Sequence, residues 1–505
     1  MGNTNLYHSL SLIIPEITIS VSFIVLVLAD LIFHKNKKII PFIAGIGILT
    51  AGYFTLAQYG KSGFAFPLST VPFNNFGMLA IDSFGIYFKI IVLVSSLLII
   101  FFSGSSLEIR KITARVGEYY ALIFGMILGM FIMISASDLI LIYLSMELMS
   151  LSSYVLSGFT KLRDRNSEAA LKYLIYGAVS SGLMLFGISL VYGLTGSTNL
   201  YIINMMFHMP HMDLFTISFA VILIFAGIGY KISSAPFHFW TPDVYEGAPI
   251  TITAFLSVAS KAAGFALLIR FIKTAFVTSV DASGFWHLSA AFNWKPILIA
   301  ISILTMTLGN FSAIWQNNLK RMLAYSSIAH AGYILLGIVV LSNQGLFAVL
   351  IYFAVYMITN LGAFLIIMLV SNKTNSEEIS DFDGLGYTSP FLCVSFTIFL
   401  LSLTGLPPTA GFIGKLYIFI GLVDAKMITV AVIALLNTVV SLYYYVRILK
   451  HMFLVKPEKE PPTISISHTD TILVSVLVAA VLVLGVYFEP LINAAKACMV
   501  ILGLQ

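Results

Sequence analysis

Residues 138–159 read DLILIYLSMELMSLSSYVLSGF, and one residue in that run, Glu147, decides how the chain is read. The stretch is long enough to cross a bilayer, because about 20 apolar residues span its hydrocarbon layer. Glu147 lies nine residues beyond Asp138, the nearest loop charge, which is too deep for its carboxylate to snorkel into water. A charge at the centre of a membrane helix costs at least about 2.5–3.5 kcal/mol on insertion scales, and such residues mark ion or substrate pathways by default.

The pattern around Glu147 continues in both directions. Apolar runs occur near residues 10–33, 39–59, 82–104, 117–136, 138–159, 168–195, 213–240, 249–273, 295–315, 320–342, 344–372, 390–420, 424–452 and 468–497. They predict an all-α polytopic membrane protein of about fourteen spans, with short loops and no inserted soluble domain. Composition agrees: 59% of residues are hydrophobic and only 10% charged, too few charges to cover a soluble surface. The segment Leu10–Asp30 lacks the cationic lead-in and small-residue cleavage site of a signal peptide and reads as the first span.

Lysines and arginines orient these spans. They gather in the odd-numbered loops: Lys35, Lys37 and Lys38 in the first, Arg110, Lys111 and Arg115 in the third, and Lys161, Arg163 and Arg165 in the fifth. Lys320 and Arg321 follow in the ninth, and Lys450, Lys456 and Lys459 in the thirteenth, while the even loops hold little beyond Lys61, Lys295 and Lys426. The asymmetry predicts cytoplasmic odd loops and both termini on the periplasmic side. The net charge of +5 is thus an orientation signal in a lipid bilayer and not a nucleic-acid signal. Cys393 and Cys498 stand far apart in apolar surroundings, which excludes a zinc or iron–sulfur site built on cysteine.

Two runs carry internal breaks. One passes through Gly227, Gly229, Lys231, Pro236 and His238, the other through Gly405, Pro407, Pro408, Gly411, Gly414 and Lys415. Proline removes a backbone donor and clashes with the preceding turn, so each helix is expected to break there. Paired broken spans are a pointer to a hydrated ion pathway between repeats.

The candidate pathway residues are therefore Glu147, Lys172, Lys231, His238, Lys261, His330 and Lys415. The chemistry expected of them is proton transfer, with Glu147 pairing to Lys231, His238 and Lys261 relaying, and Lys415 as the exit-side store. Blander readings compete. Lys89 and Lys273 read as snorkelling residues, and Lys172 follows Glu168 by four residues and can form a local helix pair with it. His238 and His330 can equally be packed, hydrogen-bonded histidines. Asp243 and Glu246 read as solvated carboxylates at a membrane edge. The string TAGFIGKL is no phosphate loop, since Thr409 and Leu416 stand where glycine and Ser/Thr are required, and no dinucleotide fingerprint occurs.

The strings YLSMELMSLSSYVL, EAALKYLIYGAVSSGLMLFG, GYKISSAPFHFWTPDVYEGAP, SVASKAAGF, NLKRMLAYSSIAHAGYILLG and GLPPTAGFIGKLYIF resemble the antiporter-like membrane subunits of respiratory complex I. Within that family they look most like the subunit N group of bacterial NADH-quinone oxidoreductase. The resemblance covers about residues 80–450. It implies spans 1–3 in residues 1–116, a repeat of spans 4–8 in 117–273, an inverted repeat of spans 9–13 in 295–452, and a last span in 468–505. It further implies broken helices at spans 7 and 12.

The resemblance makes Glu147 the acidic partner, Lys231 the central lysine, Lys261 the connecting lysine, Lys415 the terminal lysine and Lys172 a modulating lysine. Lys415 speaks against subunit M, which usually has glutamate there. An end at Gln505 leaves no lateral helix of the kind subunit L carries. Implied partners are subunit M and small membrane-arm subunits in a bacterial inner membrane. FMN, iron–sulfur clusters and quinone are expected in other subunits and no cofactor in this one. Subunits of multi-subunit sodium/proton antiporters and membrane-bound hydrogenases share the fold and form the main alternative; a stand-alone solute transporter and a vestigial scaffold are the others.

Overall fold

The computed structural model describes all residues except 1, 34–35, 68–75, 161–163, 209–212, 290–293, 458–461 and 503–505. Lys35, Lys161, Arg163, Lys459 and Gln505, used in the reading above, lie outside the described residues. Thirteen described helices are long and apolar enough to cross a membrane. They run from Ile14–Ile32 (span 1), Ile39–Ala57 (span 2) and Ser83–Ser105 (span 3) through to Ile428–Phe453 (span 13) and His468–Val486 (span 14). The remaining run, 390–420, forms two shorter helices, Pro390–Thr404 and Ala410–Asp424, which together occupy the place of span 12.

Helix starts follow local chemistry. Asp82, Asp138, Asn318 and Ser342 each sit in extended backbone and accept a hydrogen bond from an amide of the first turn. Those amides have no partner inside the helix, which is why short polar side chains mark the boundary. Spans 8, 10 and 11 are almost entirely buried, whereas spans 1, 2, 6, 13 and 14 are mostly exposed along their apolar faces. The core therefore lies around spans 8, 10 and 11, and the outer helices turn apolar side chains outward, as lipid or a partner requires.

The loops sort into two sets. Bridges join Leu79 to Ala136, Asp138 to Asn199 and Phe285 to Ser342, all in even-numbered loops; Asn318 pairs with Glu378 across odd-numbered ones. Two antiparallel ribbons also lie in even loops: Gly63–Pro67 with Gly77–Ile81, and Val277–Val280 with Trp286–Leu288. These strands depart from the all-helical expectation. They are three to five residues long, too short to show alternation in sequence.

Lys89 is a correction. It does not snorkel: it is 1% exposed and its ammonium lies 2.5 Å from Glu16 of span 1. A ring contact with Phe131, 5.6 Å away, covers it further. The partner comes from a helix 73 residues earlier, which no local pattern reveals. Removing either member would strand a buried charge, at a cost of about 3–5 kcal/mol.

Candidate functional site

Span 7 runs as Leu214–Ile232, stops at Ser233 in the left-handed region with φ 61°, and resumes as Trp240–Gly247. The loosened backbone finds new partners: the Ser234 amide donates to Gly229 O, and the Ala235 amide donates to Thr305 Oγ1 at 2.9 Å. Lys231 occupies the last turn before the stop, where unpaired carbonyls give the helix end a partial negative charge. Its ammonium is 1% exposed, donates to Ser150 Oγ at 3.0 Å and lies 5.9 Å from the Tyr173 ring.

The expected Glu147–Lys231 ion pair is not formed. Glu147 is half-buried on span 5, Leu139–Ser157, and among the described residues makes no salt bridge within 4 Å. The reason lies in the helix: Ser150 is one turn beyond Glu147 on the same face, and Lys231 meets the hydroxyl first.

Span 12 breaks differently. Pro390–Thr404 ends on Gly405, whose φ of +86° suits only glycine comfortably, and Ala410–Asp424 follows. Lys415 in the second half reaches back and donates to Thr404 O, in the last turn of the first half, at 2.8 Å. Its ammonium also lies 4.5 Å from the Tyr333 ring centroid.

Lys261 stands between these breaks. Span 8, Ile250–Phe276, contains one π turn at Leu256–Ser260, and Lys261 is the residue that follows it. The Lys261 ammonium donates to Ser327 Oγ at 2.7 Å and to Ser327 O at 2.9 Å, and Tyr356 donates to the same hydroxyl at 2.8 Å. One turn beyond Ser327, His330 bonds through Nδ1 with the Tyr352 hydroxyl at 2.7 Å. His330 and Lys415 share a cavity of about 10 Å³ with Tyr352, Tyr356, Thr359 and Ser402. That is about room for one water. Lys261, His330 and Lys415 therefore form one connected polar row.

Two predicted residues fall outside it. His238 sits in the gap of span 7 with its ring stacked 4.5 Å from Phe239; its Nδ1 is buried without a partner, and no hydrogen bond links it to either lysine. Lys172 lies at the odd-loop face, bonded to Glu168 and Asp243 at 2.7 Å each. There Arg321 binds Asp243 and Glu246, and Arg165 binds Glu246. Asp243 and Glu246 are thus ion-paired and not simply solvated. Partial burial pushes the Asp243 carboxyl up, but hydrogen bonds from Lys172 and Arg321 outweigh it and hold it below the ordinary carboxylate value.

Sequence reasoning missed Ser150, Ser327, Thr404 and the tyrosines around His330. Hydroxyls are common in membrane helices and carry no signal of cost. It also passed over Glu16, Asp82 and Arg270, where the signal, a charge within or bounding an apolar run, was present. Among the described residues, no group of three or more His, Cys, Asp or Glu is placed to hold a metal.

A helical bundle threaded by a row of buried lysines and hydroxyls defines an antiporter-like membrane protein. The family model for the NADH:quinone oxidoreductase/Mrp antiporter transmembrane region matches residues 136–441. NADH-quinone oxidoreductase subunit N 2 of Chloroherpeton thalassium is 45% identical, over 98% of this chain and 95% of its own length. A chain of respiratory complex I from Thermus thermophilus superposes with a TM-score of 0.78 at 30% identity, covering 96% of this chain and all of its own. A chain of the Mrp complex from Dietzia sp. reaches a TM-score of 0.82 at 19% identity over 97% of both, a likeness of fold alone. The chain belongs to the NADH-quinone oxidoreductase subunit N family.

Proposed function

We propose that this chain is a proton-translocating membrane-arm subunit of an NADH-quinone oxidoreductase, with Lys231, Lys261, His330 and Lys415 as its proton row and Glu147 as the charge that biases Lys231. The carrying observation is how the lysines are held. Lys231 and Lys261 meet serine hydroxyls, which accept from an ammonium and donate to a neutral amine. Each therefore keeps a partner whether or not it holds its proton, as a relay demands.

Glu147 supports the reading from another side. A carboxylate left half-exposed on an apolar span is costly against lipid, so the assembled complex has to cover it. A neighbouring antiporter-like subunit such as subunit M, or a small membrane subunit, is the cover that suits it. FMN, iron–sulfur clusters and quinone belong to other subunits on this reading. The odd-loop face, with its Lys172, Arg165 and Arg321 cluster, faces the cytoplasm, both termini face the periplasm, and the membrane is a bacterial inner membrane. Lys172 tunes the row from that face through Asp243, and His238 serves by lining the gap in span 7.

The test replaces Lys231 by Ala in the assembled enzyme and follows proton pumping and quinone reduction together in sealed vesicles. Loss of both, with assembly intact, is expected. Unchanged pumping would sink the reading and leave the buried charges as structural pairs.

A further inference from the structure

The row of lysines needs an end as well as a course. Span 8 continues from Lys261 toward the even-loop face, and nine residues on, roughly 14 Å along the helix, it carries Arg270. Arg270 is 0% exposed and forms a two-pronged pair with Asp82, at 2.7 and 2.9 Å, while its Nε donates to Ile134 O at 2.9 Å. Asp82 is equally enclosed. It caps span 3 through the Gly85 amide at 2.8 Å and accepts a hydrogen bond from the Leu502 amide at 3.0 Å.

The C-terminal residues are pinned over this pair. Tyr201 donates to Leu502 O at 2.5 Å, and the Phe84 amide donates to Val500 O at 3.3 Å. One turn beyond Arg270, Lys273 lies 5.3 Å from the Trp286 ring and has no carboxylate within salt-bridge distance among the described residues. The outer stretch of span 8 thus carries two cations, of which Arg270 alone is paired with Asp82.

We propose that Asp82, Arg270 and the C-terminal segment 500–502 form a proton seal that closes the even-loop side of the lysine row at span 8. Guanidinium does not give up its proton under biological conditions, so Arg270 cannot serve as a stepping stone. Three of its donors are held by Asp82 and Ile134 O, its guanidinium carbon lies 5.6 Å from the Phe84 ring centroid, and a fixed positive charge repels an arriving hydrated proton. Arg270 is therefore a positioning and barrier residue: it touches no carrier but forces protons to leave by another route. The inference rests on the reading of the lysines as a proton row and goes beyond it by naming where that row is shut.

The experiment uses the assembled complex in sealed vesicles without electron donor, with an imposed pH gradient and an internal pH-sensitive dye. Arg270→Lys keeps the ion pair but makes the cation titratable, and it is expected to speed the gradient's decay at least about threefold. Adding Lys261→Ala to the same chain is expected to return the decay to the unmodified rate. If Arg270→Lys prevents assembly, a chain stopped after Val500, which frees Asp82 from the Leu502 amide, is expected to leak instead. Vesicles as tight as the unmodified ones with either assembled variant would overturn the seal, as would a leak that Lys261→Ala leaves untouched. Because the leak is read without turnover, its outcome is separate from that of the Lys231→Ala pumping test.

Discussion

Lys231 and Lys415 both stand at an interrupted membrane helix, yet they are held in opposite ways. Lys231 belongs to the first half of its helix and reaches sideways to a hydroxyl on span 5, with the Glu147 carboxylate one turn from that hydroxyl. Lys415 belongs to the second half of its helix and reaches back to a backbone carbonyl of the first, under the face of Tyr333. A hydroxyl accepts from the ammonium and donates to the neutral amine, whereas a carbonyl oxygen only accepts and a π face favours the cation. The difference teaches that Lys231 has a partner suited to both protonation states, whereas the partners of Lys415 favour the charged form it holds as a store.

That comparison is open to direct attack. The largest effect is expected from Lys231→Ala, which removes the switching amine and should cut coupled pumping by about 10²-fold, in the range of lost acid–base groups. Lys415→Ala should cost less, about tenfold, because a store can be bypassed more readily than a switch. Equal losses in the same vesicle assay would erase the distinction.

Gly405→Ala sharpens the comparison from the backbone side. The added Cβ would lie 2.7 Å from Lys415 Cδ at a residue with φ +86°. Left-handed strain alone costs about 1–2 kcal/mol, so a lower melting temperature of the purified complex and a displaced Lys415 are expected. Ser150→Ala should lower pumping severalfold and Ser150→Thr restore it, since only the hydroxyl matters; failure of threonine to rescue would point to packing. Tyr333→Phe keeps the π face over Lys415 and removes only the hydroxyl's bonds to Ala434 O and Thr438 Oγ1, so it should leave pumping within about twofold. Lys172→Ala should have the smallest effect, because half-exposed ion pairs contribute about 0–1 kcal/mol and Arg321 still holds Asp243.

What could be read from sequence follows the same physics. The spans and both interruptions were legible because charge and proline are expensive in an apolar helix, so each leaves a mark. The partners of the lysines were not legible, because serine, tyrosine and a backbone carbonyl cost little there. Lys89 was misjudged for a related reason: near a helix end snorkelling is the economical guess, and only the packed bundle brings Glu16 alongside. Lys172 shows the limit of local spacing. Glu168 at four residues was visible, but Asp243, 71 residues away, fixes its place at the odd-loop face. The Glu147–Lys231 pair failed by one helical turn, a margin that composition and periodicity cannot resolve.

The interruption of span 12 also has a mechanical meaning. A Cβ on Gly411 would fall 1.7 Å from Ser402 O, and the Ser402 hydroxyl binds both the Gly411 amide and Thr359 Oγ1. The two half-helices are therefore welded where they meet, with no slack between them. A displacement of Pro390–Thr404 is thus expected to carry Lys415 with it, so that the break couples the two halves as a crank would.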